Sequence, residues 1–277
     1  MPCKKMLRLD RVLTYVVFSF TATTSVVRAQ SEEVINEIVV PGRAINTLDL
    51  ESISSAGSRL GLTVIETPAS IELINSSVMR ARGYKSIADA VKSLPGVTSG
   101  ESPAAPSTFS MRGFSRSAIT VLRDGIWLGP SNIVMRPQNT FNLDRIEVLR
   151  GPNSVLHGQG AVAGTVNVVP KTAEVGEPDT VDLITSLGRY DTYQIGVGAG
   201  GSLSESSWYR FDISQRESDG YVDRMEPSSL NATGSILWQA SDTLSVKLNF
   251  DYLDDELADY WGTPLMPVLS LIHISEP

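Results

Sequence analysis

The chain predicts a mixed helix–strand domain followed by strands of an antiparallel transmembrane β-barrel, all behind an export signal. Three observations carry that expectation. Residues 144–170 hold two strand patterns joined by a glycine-rich turn, preceded by two short capped helices. From Val181 onward, segments of about ten residues alternate apolar and polar, with aromatics near their ends, which is the pattern of outer-membrane barrel strands. Residues 1–29 read as a secretory signal: Lys4, Lys5, Arg8 and Arg11 precede the short apolar run Val12 to Phe20, and Val27-Arg28-Ala29 suits cleavage after Ala29.

Composition narrows the function. The 277 residues carry a formal charge of −8, so no basic surface supports a nucleic-acid role. Loss of 1–29 leaves 18 basic and 30 acidic residues, a formal −12. The single cysteine, Cys3, leaves with the signal, so no disulfide framework or cysteine metal site is expected. After the signal no stretch is long and apolar enough for a membrane helix; a membrane-spanning form must then be a closed barrel.

In chain order, residues 30–60 are polar and serine-rich and read as a flexible arm. Within it Val34-Ile35-Asn36-Glu37-Ile38-Val39-Val40 is short and β-branched, closed by Pro41-Gly42, and suits addition as a strand to a partner's sheet edge. An ordinary edge strand is the competing reading. Ala69 to Ile74 alternates as a strand. Asn75 caps a helix over Ser76 to Arg82 that Gly83 ends. Ser86 with Asp89 opens a second helix, whose face Ile87, Ala90, Val91 and Leu94 is core, and Pro95-Gly96 ends it. Thr108 to Met111 leads into Arg112-Gly113-Phe114. Ile119 to Leu122 is a strand, and Asp124-Gly125 makes a hairpin turn into Ile126-Trp127-Leu128. Ile146 and Val148 alternate with Arg145, Glu147 and Arg150, as in a half-buried strand. Gly151-Pro152 stops it, and Gly158, Gly160 and Gly164 imply tight turns or close backbone approach before the strand Thr165 to Val169. The alternating segments then cover Val181 to Thr185, Tyr193 to Ala199, Trp208 to Ile213, Asn231 to Trp238 and Leu244 to Tyr252, with a longer loop over Glu217 to Leu230. A soluble antiparallel sandwich is the competing reading of this half.

The wording of these segments resembles the TonB-dependent outer-membrane receptors. The run Ile146 to Lys171, IEVLRGPNSVLHGQGAVAGTVNVVPK, is similar to the end of that family's plug domain, departing from it at His157, Ala163 and Pro170. GYKSIADAVKSLPGV and MRGF also resemble it, and the resemblance covers about residues 34–265, nearest the ferric-siderophore group. It implies an α+β plug domain followed by the first strands of an antiparallel transmembrane β-barrel, an incomplete barrel, with a signal at 1–29, an arm at 30–60, a plug at 61–173 and about five barrel strands over 178–265. Barrels of this type need about 22 strands. The chain therefore reads as truncated, and residues 268–277 read as a non-native tail.

The resemblance further implies a TonB box within 34–40, giving Val34, Ile35, Glu37, Ile38, Val39 and Val40 as TonB-binding residues. It implies plug–barrel salt bridges from Arg112, Arg145, Glu147 and Arg150, against the plainer reading of solvated charges on an outer face. Loops 99–108, 114–118 and 127–138 would reach the ligand. There Arg116, Trp127, Asn132 and Arg136 offer cations, an aromatic face and an amide, suited to an anionic or hydroxamate-type iron chelate; ordinary exposed loop residues are the alternative. The expected function is TonB-driven uptake of a ferric siderophore across the outer membrane of a Gram-negative bacterium. Expected partners are TonB with its inner-membrane complex, the ferric-siderophore and outer-membrane lipid. Haem, cobalamin or a glycan as cargo, and a sensor role, are the alternatives.

No resident cofactor is expected, iron entering only within the cargo. His157 and His273 are far apart, no P-loop lysine follows the Gly158 to Gly164 run, and Asp254, Asp255 and Glu256 read as a solvated acidic loop rather than a calcium site. No nucleophile–base arrangement stands out, so an enzyme is not expected.

Overall fold

The computed structural model describes residues 50–257, apart from 59, 101–103, 135, 137, 159, 222–225 and 242. All of these fall in one compact unit, Ala44–Pro277. The expected signal, the 34–40 segment and the 268–277 tail lie outside the described residues.

The first half follows the local chemistry closely. Strand β1 (Ser70–Asn75) runs into helix α1 (Ser76–Arg82). The Asn75 side chain accepts the Val78 amide, and Gly83 closes the helix in the left-handed region at φ 69°. Helix α2 (Ile87–Val91) starts at Ser86, whose hydroxyl accepts the Asp89 amide at 3.2 Å and donates to the Asp89 carboxylate at 2.9 Å. Three short strands follow, β2 (Val97–Ser99), β3 (Phe109–Met111) and β4 (Phe114–Ser115), and pair with one another. A 3-10 turn (Arg116–Ala118) leads to β5 (Ile119–Arg123) and β6 (Ile126–Pro130). Asp124 and Gly125 both have positive φ, 49° and 75°, which is the two-residue turn that matches strand twist. Helix α3 (Ser131–Val134), strand β7 (Leu143–Arg150), helix α4 (Ser154–His157) and strand β8 (Gly164–Pro170) complete this half.

These strands form a mixed sheet of order β1-β7-β8-β5-β6, with β5 parallel to β8 and the other pairs antiparallel. One face buries Ile146, Val148, Val166 and Val168 against Val78 and Met79 of α1 and Ile87 and Val91 of α2. Each such side chain contributes about 1.5–3 kcal/mol. The glycines of the 158–164 turn act as expected. Gly158 and Gly160 sit at φ 74° and 96°. A Cβ on Gly164 would stand 2.6 Å from the Met111 sulfur and 2.7 Å from the Leu149 carbonyl. Ala163, which departs from the family pattern, is buried in the core and is not among the positive-φ residues.

The arm departs from expectation. Residues 50–58 are not loose: Ser54 and Ala56 are fully buried against the second face of the plug sheet. Serine content signalled disorder, but here the hydroxyls are hydrogen-bonding partners for plug side chains.

The second half is an antiparallel sheet of order β13-β12-β11-β10-β9: β9 (Thr180–Leu187), β10 (Tyr193–Ser204), β11 (Ser207–Glu217), β12 (Ser228–Ser241) and β13 (Leu244–Glu256). The five expected segments are all present, each longer than its alternating centre. This sheet is inside out. Gln194, Arg210, Asp212, Ser214, Asn231 and Thr233 are buried on the face toward the first half, whereas Ile195, Val197, Phe211, Ile213, Ile236 and Trp238 are exposed on the other. A soluble sandwich buries its apolar face. An outward apolar and inward polar alternation is that of a barrel wall in lipid. Among the described residues no helix is long and apolar enough to cross a membrane.

Candidate functional site: the seam between plug and wall

The first half docks on the polar face of the wall through side chains the strand arithmetic aims inward. Asn142, just ahead of β7, is buried at the centre. Its Nδ2 donates to the Asp212 carbonyl at 2.9 Å and to Thr233 Oγ1 at 3.2 Å, and its Oδ1 accepts from Ser214 Oγ at 2.7 Å. Asn139 Nδ2 donates to Ser214 Oγ at 3.1 Å, and its Oδ1 accepts from Gln194 Nε2 at 2.9 Å. Between them Phe141 lies on β10 at Gly196, where an added Cβ would stand 2.9 Å from the ring. Lys247 Nζ donates to Thr172 Oγ1 at 2.8 Å.

Charge is concentrated at two places on the seam. Lys171, the residue after β8, reaches Asp212 at 3.1 Å and Asp182 at 3.3 Å, with its ammonium 4.6 Å from the centre of the Phe141 ring. Arg80 on α1 also pairs with Asp182, at 3.3 Å. Within the wall, Arg210 holds the same acids, with Nε 2.7 Å from Asp212 and Nη2 2.6 Å from Asp182. Gly198 and Gly200 make room for this group: a Cβ at 198 would overlap the Asp212 carboxylate, and one at 200 would stand 2.9 Å from Arg210 Cδ. The second place is Arg123 at the end of β5. Its guanidinium grips Asp251 of β13 through Nε and Nη2, the latter at 2.8 Å, while Nη1 donates to Gln138 at 2.9 Å. A two-pronged arginine–carboxylate contact fixes orientation as well as contributing energy. Beside Lys171 the seam opens into a cavity of about 490 Å³, lined by Arg80, Arg145 and Lys171 on one side and Thr180, Asp182 and Arg210 on the other.

The ion pairs of this seam are made by residues other than those expected from sequence. Arg145, Glu147 and Arg150 find their partners inside the plug. Arg145 Nε donates to Glu147 at 2.9 Å and its Nη1 to Asp144 at 2.9 Å. Burial works against the Arg145 charge, but Glu147 and Asp144 outweigh it and hold its pKa above the usual arginine range. Arg150 pairs with Glu72 on β1. Glu147 is fully buried and faces residues 54–56. Arg112 is exposed at φ 51°, with its Nη1 against Gly151. The physical reason is strand position: β7 is second in its sheet, so its side chains pair with β1, β8 and the arm, and Arg145 only borders the cavity beside the wall. The signals that mark the actual seam were charged residues at inward positions of the wall strands, Asp182, Arg210 and Asp212, where a lone polar residue needs a partner. Asn139 and Asn142 carried no such mark.

The four expected ligand-contact residues divide into two places. Arg116 and Asn132 are neighbours: the Arg116 carbonyl accepts from Ser131 Oγ at 2.9 Å, at the start of α3. Asn132 Oδ1 is buried without a hydrogen-bond partner. Arg136 is exposed, and its carbonyl accepts from Ser107 Oγ. Trp127 lies elsewhere. It pairs with Leu122 beside the Asp124–Gly125 turn, whereas Thr120 pairs with Pro130 at the other end of the hairpin. Three residues of strand, about 10 Å, separate the two ends. Because β5 is parallel to β8, with Arg123 beside Val168, Trp127 sits at the end from which the chain leaves for the wall. The proposed TonB-binding residues Val34, Ile35, Glu37, Ile38, Val39 and Val40 lie outside the described residues. Among the described residues no group of three or more histidine, cysteine or acidic side chains is placed to hold a metal.

A compact α+β domain seated by polar contacts on an inside-out antiparallel sheet is the arrangement of a plug against a barrel wall. Residues 63–165 match the model of the TonB-dependent Receptor Plug Domain, so the chain carries a plug domain of that kind. The vitamin B12 transporter BtuB of Photobacterium profundum is 26% identical over 212 residues, covering 71% of this chain and 34% of the transporter. The ferripyoverdine receptor of Pseudomonas aeruginosa is 26% identical over 208 residues, covering 73% of this chain and 25% of the receptor. In three dimensions, the crystal structure of the ferripyoverdine receptor of the outer membrane of Pseudomonas aeruginosa bound to ferripyoverdine is similar with a TM-score of 0.67 at 23% identity. It covers 74% of this chain and 27% of that one. The chain thus spans 25% to 34% of the length of these relatives. They are receptors and transporters, not enzymes, and the cargo is not common to them.

Proposed function

We propose that this chain supplies the plug and adjoining wall strands of an outer-membrane receptor that takes up a ferric siderophore under TonB power. The observation that carries the reading is the seam. A fully folded plug is held on the wall by separable polar contacts, Asn142 with Thr233, Lys171 with Asp212 and Arg123 with Asp251, while the wall turns its apolar face outward. Polar contacts of this kind exchange for water at little net cost. A pulled plug can then slide along the wall, where an apolar seam would resist. The segment Val34 to Val40 would be the TonB box, Ile38 within it adding to the partner's sheet.

For the cargo, Arg116, Asn132 and Arg136 offer two guanidinium groups and an amide near one end of the plug, suited to an anionic chelate. Cobalamin is the second reading, because the BtuB relative matches at the same 26% identity as the ferripyoverdine receptor. Uptake of labelled ferric siderophores and of labelled cobalamin, in cells expressing the receptor that carries these residues, separates the two. The expected result is TonB-dependent ferric-siderophore uptake that is lost in Ile38→Pro while binding persists. Uptake of cobalamin alone overturns the cargo, and normal uptake in Ile38→Pro overturns the TonB box.

A further inference from the structure

The face of the plug sheet away from α1 and α2 presents Glu147 of β7 beside its register partner Asn167 of β8. Both are fully buried, and what covers them is the arm. Glu147 Oε2 accepts from the Ala56 amide at 2.8 Å, Ser54 Oγ at 3.0 Å, Ser55 Oγ at 3.4 Å and Asn167 Nδ2 at 3.3 Å. Asn167 Nδ2 also donates to Ser55 Oγ at 2.9 Å. The Ala56 carbonyl accepts from Asn153 Nδ2 at 3.0 Å and lies 2.8 Å from His157 Nε2. Both backbone polar groups of Ala56 are therefore held by side chains rather than by a strand ladder. Gly57 is pressed so close that an added Cβ would overlap Ile71 of β1.

This attachment differs in kind from those around it. A strand in a sheet is held by a row of backbone bonds that open one at a time. Here the bonds from Ser54, Ser55 and Ala56 converge on one carboxylate oxygen and open together. Once they open, the carboxylate they covered is left to water, so all three donors are lost together rather than in turn. The contact falls on β7, which sits between β1 and β8 in the plug sheet. The position in the chain matters too. A pull from residues upstream meets Ser54–Ala56 before any strand of the plug sheet, since β1 begins at Ser70.

We propose that Ser54–Ala56, seated on Glu147 with Asn153, His157 and Asn167, is a releasable latch: it locks the arm onto β7 at rest and frees it under a pull from upstream. The latch rests on the reading of the chain as a TonB-driven receptor only for the source of the pull. Glu147 acts here as a positioning residue through the arm and touches no cargo.

Hydrogen exchange on the purified chain tests the resting contact. The Ala56 amide is protected in the wild type. Ser54→Ala/Ser55→Ala, which changes only the arm, and Glu147→Gln, which keeps the shape, each raise its exchange about tenfold. In the arm variant the Val166 and Val168 amides keep their protection. An unprotected Ala56 in the wild type, or unchanged exchange in the arm variant, overturns the latch; the arm variant decides the matter where Glu147→Gln disturbs β7 itself. The release step is tested in the uptake assay with Ser55→Cys/Asn167→Cys, whose side chains already touch. Oxidation should stop uptake, reductant should restore it, and cargo binding should not change. Wild-type uptake with the cross-link formed overturns release as a step. Ile38→Pro in the same assay reports separately on TonB drive, so uptake lost there but retained with the cross-link removes the latch alone.

Discussion

The plug and wall sheets each have five strands, yet their side-chain logic is opposite. In the plug sheet, alternation puts Ile146, Val148, Val166 and Val168 under helices and leaves Glu147 and Asn167 for a polar second face. In the wall, the same period of two buries Arg210, Asp212 and Asn231 and exposes Val197, Phe211 and Trp238. The strand period is thus neutral about which side is inside. What decides is the solvent of each face: helices and arm for the plug, and for the wall a polar plug on one side and an apolar medium on the other.

That contrast can be broken most sharply by placing a charge on an apolar position of each sheet. Val166→Asp, in the plug core, should abolish folding of the plug, at a cost of about 4 kcal/mol or more, read as loss of the cooperative denaturant transition. Val197→Arg, on the wall's outer face, should leave plug folding intact in detergent and weaken membrane partition by about 2–4 kcal/mol. Equal damage to plug folding from both would remove the distinction between the faces.

A smaller effect sharpens the seam between the two sheets. Arg123→Met leaves Asp251 facing a buried thioether and should cost about 2–3 kcal/mol, less than a fully buried pair because Asp251 is partly exposed. Asp251→Leu alone should cost a similar amount. The double variant should recover at least half of the summed loss, measured by a double-mutant cycle in denaturant. Strict additivity would show that the pair does not couple.

The smallest effect lies within the plug and serves as a control on its helices. Burial opposes the charge of Asp89, but hydrogen bonds from Lys92 and Ser86 and the Lys92 charge outweigh it, and its pKa lies below the usual value. A depressed carboxyl pKa adds stability that is fully present above the unfolded value of about 3.9 and is lost as pH falls through the folded value. Asp89→Asn should lower the plug's melting temperature by a few degrees at neutral pH. The difference from wild type should shrink as pH falls through the folded value. A gap that persists in acid would assign the loss to packing instead.

Much of this was legible in the chain. Asn75, Gly83 and Ser86 mark helix ends with side-chain chemistry that needs no tertiary partner, and Asp124-Gly125 marks a turn the same way. The five wall strands were legible because their alternation runs unbroken for many residues. The seam was not. Arg145 and Glu147 were expected as bridges to a wall from the resemblance alone; the strand pattern shows that two charges share a face without showing which neighbour covers it. Likewise, the serines of 50–58 signalled a loose arm, since hydroxyls read the same whether they meet water or a buried carboxylate. Trp127 was grouped with Arg116 because a hairpin separates in space what sequence keeps near.

The glycine row on β10 has a consequence for curvature. A sheet that bends around a core has less room on its concave side, so side chains there crowd while those on the convex side spread apart. Beyond Gln194, the glycines Gly196, Gly198 and Gly200 clear the row of β10 that faces the plug. A sheet can bend toward its core most easily along such a strand, and the room it leaves is filled by Phe141 of the plug and by the Arg210–Asp212 pair of β11 rather than by side chains of β10.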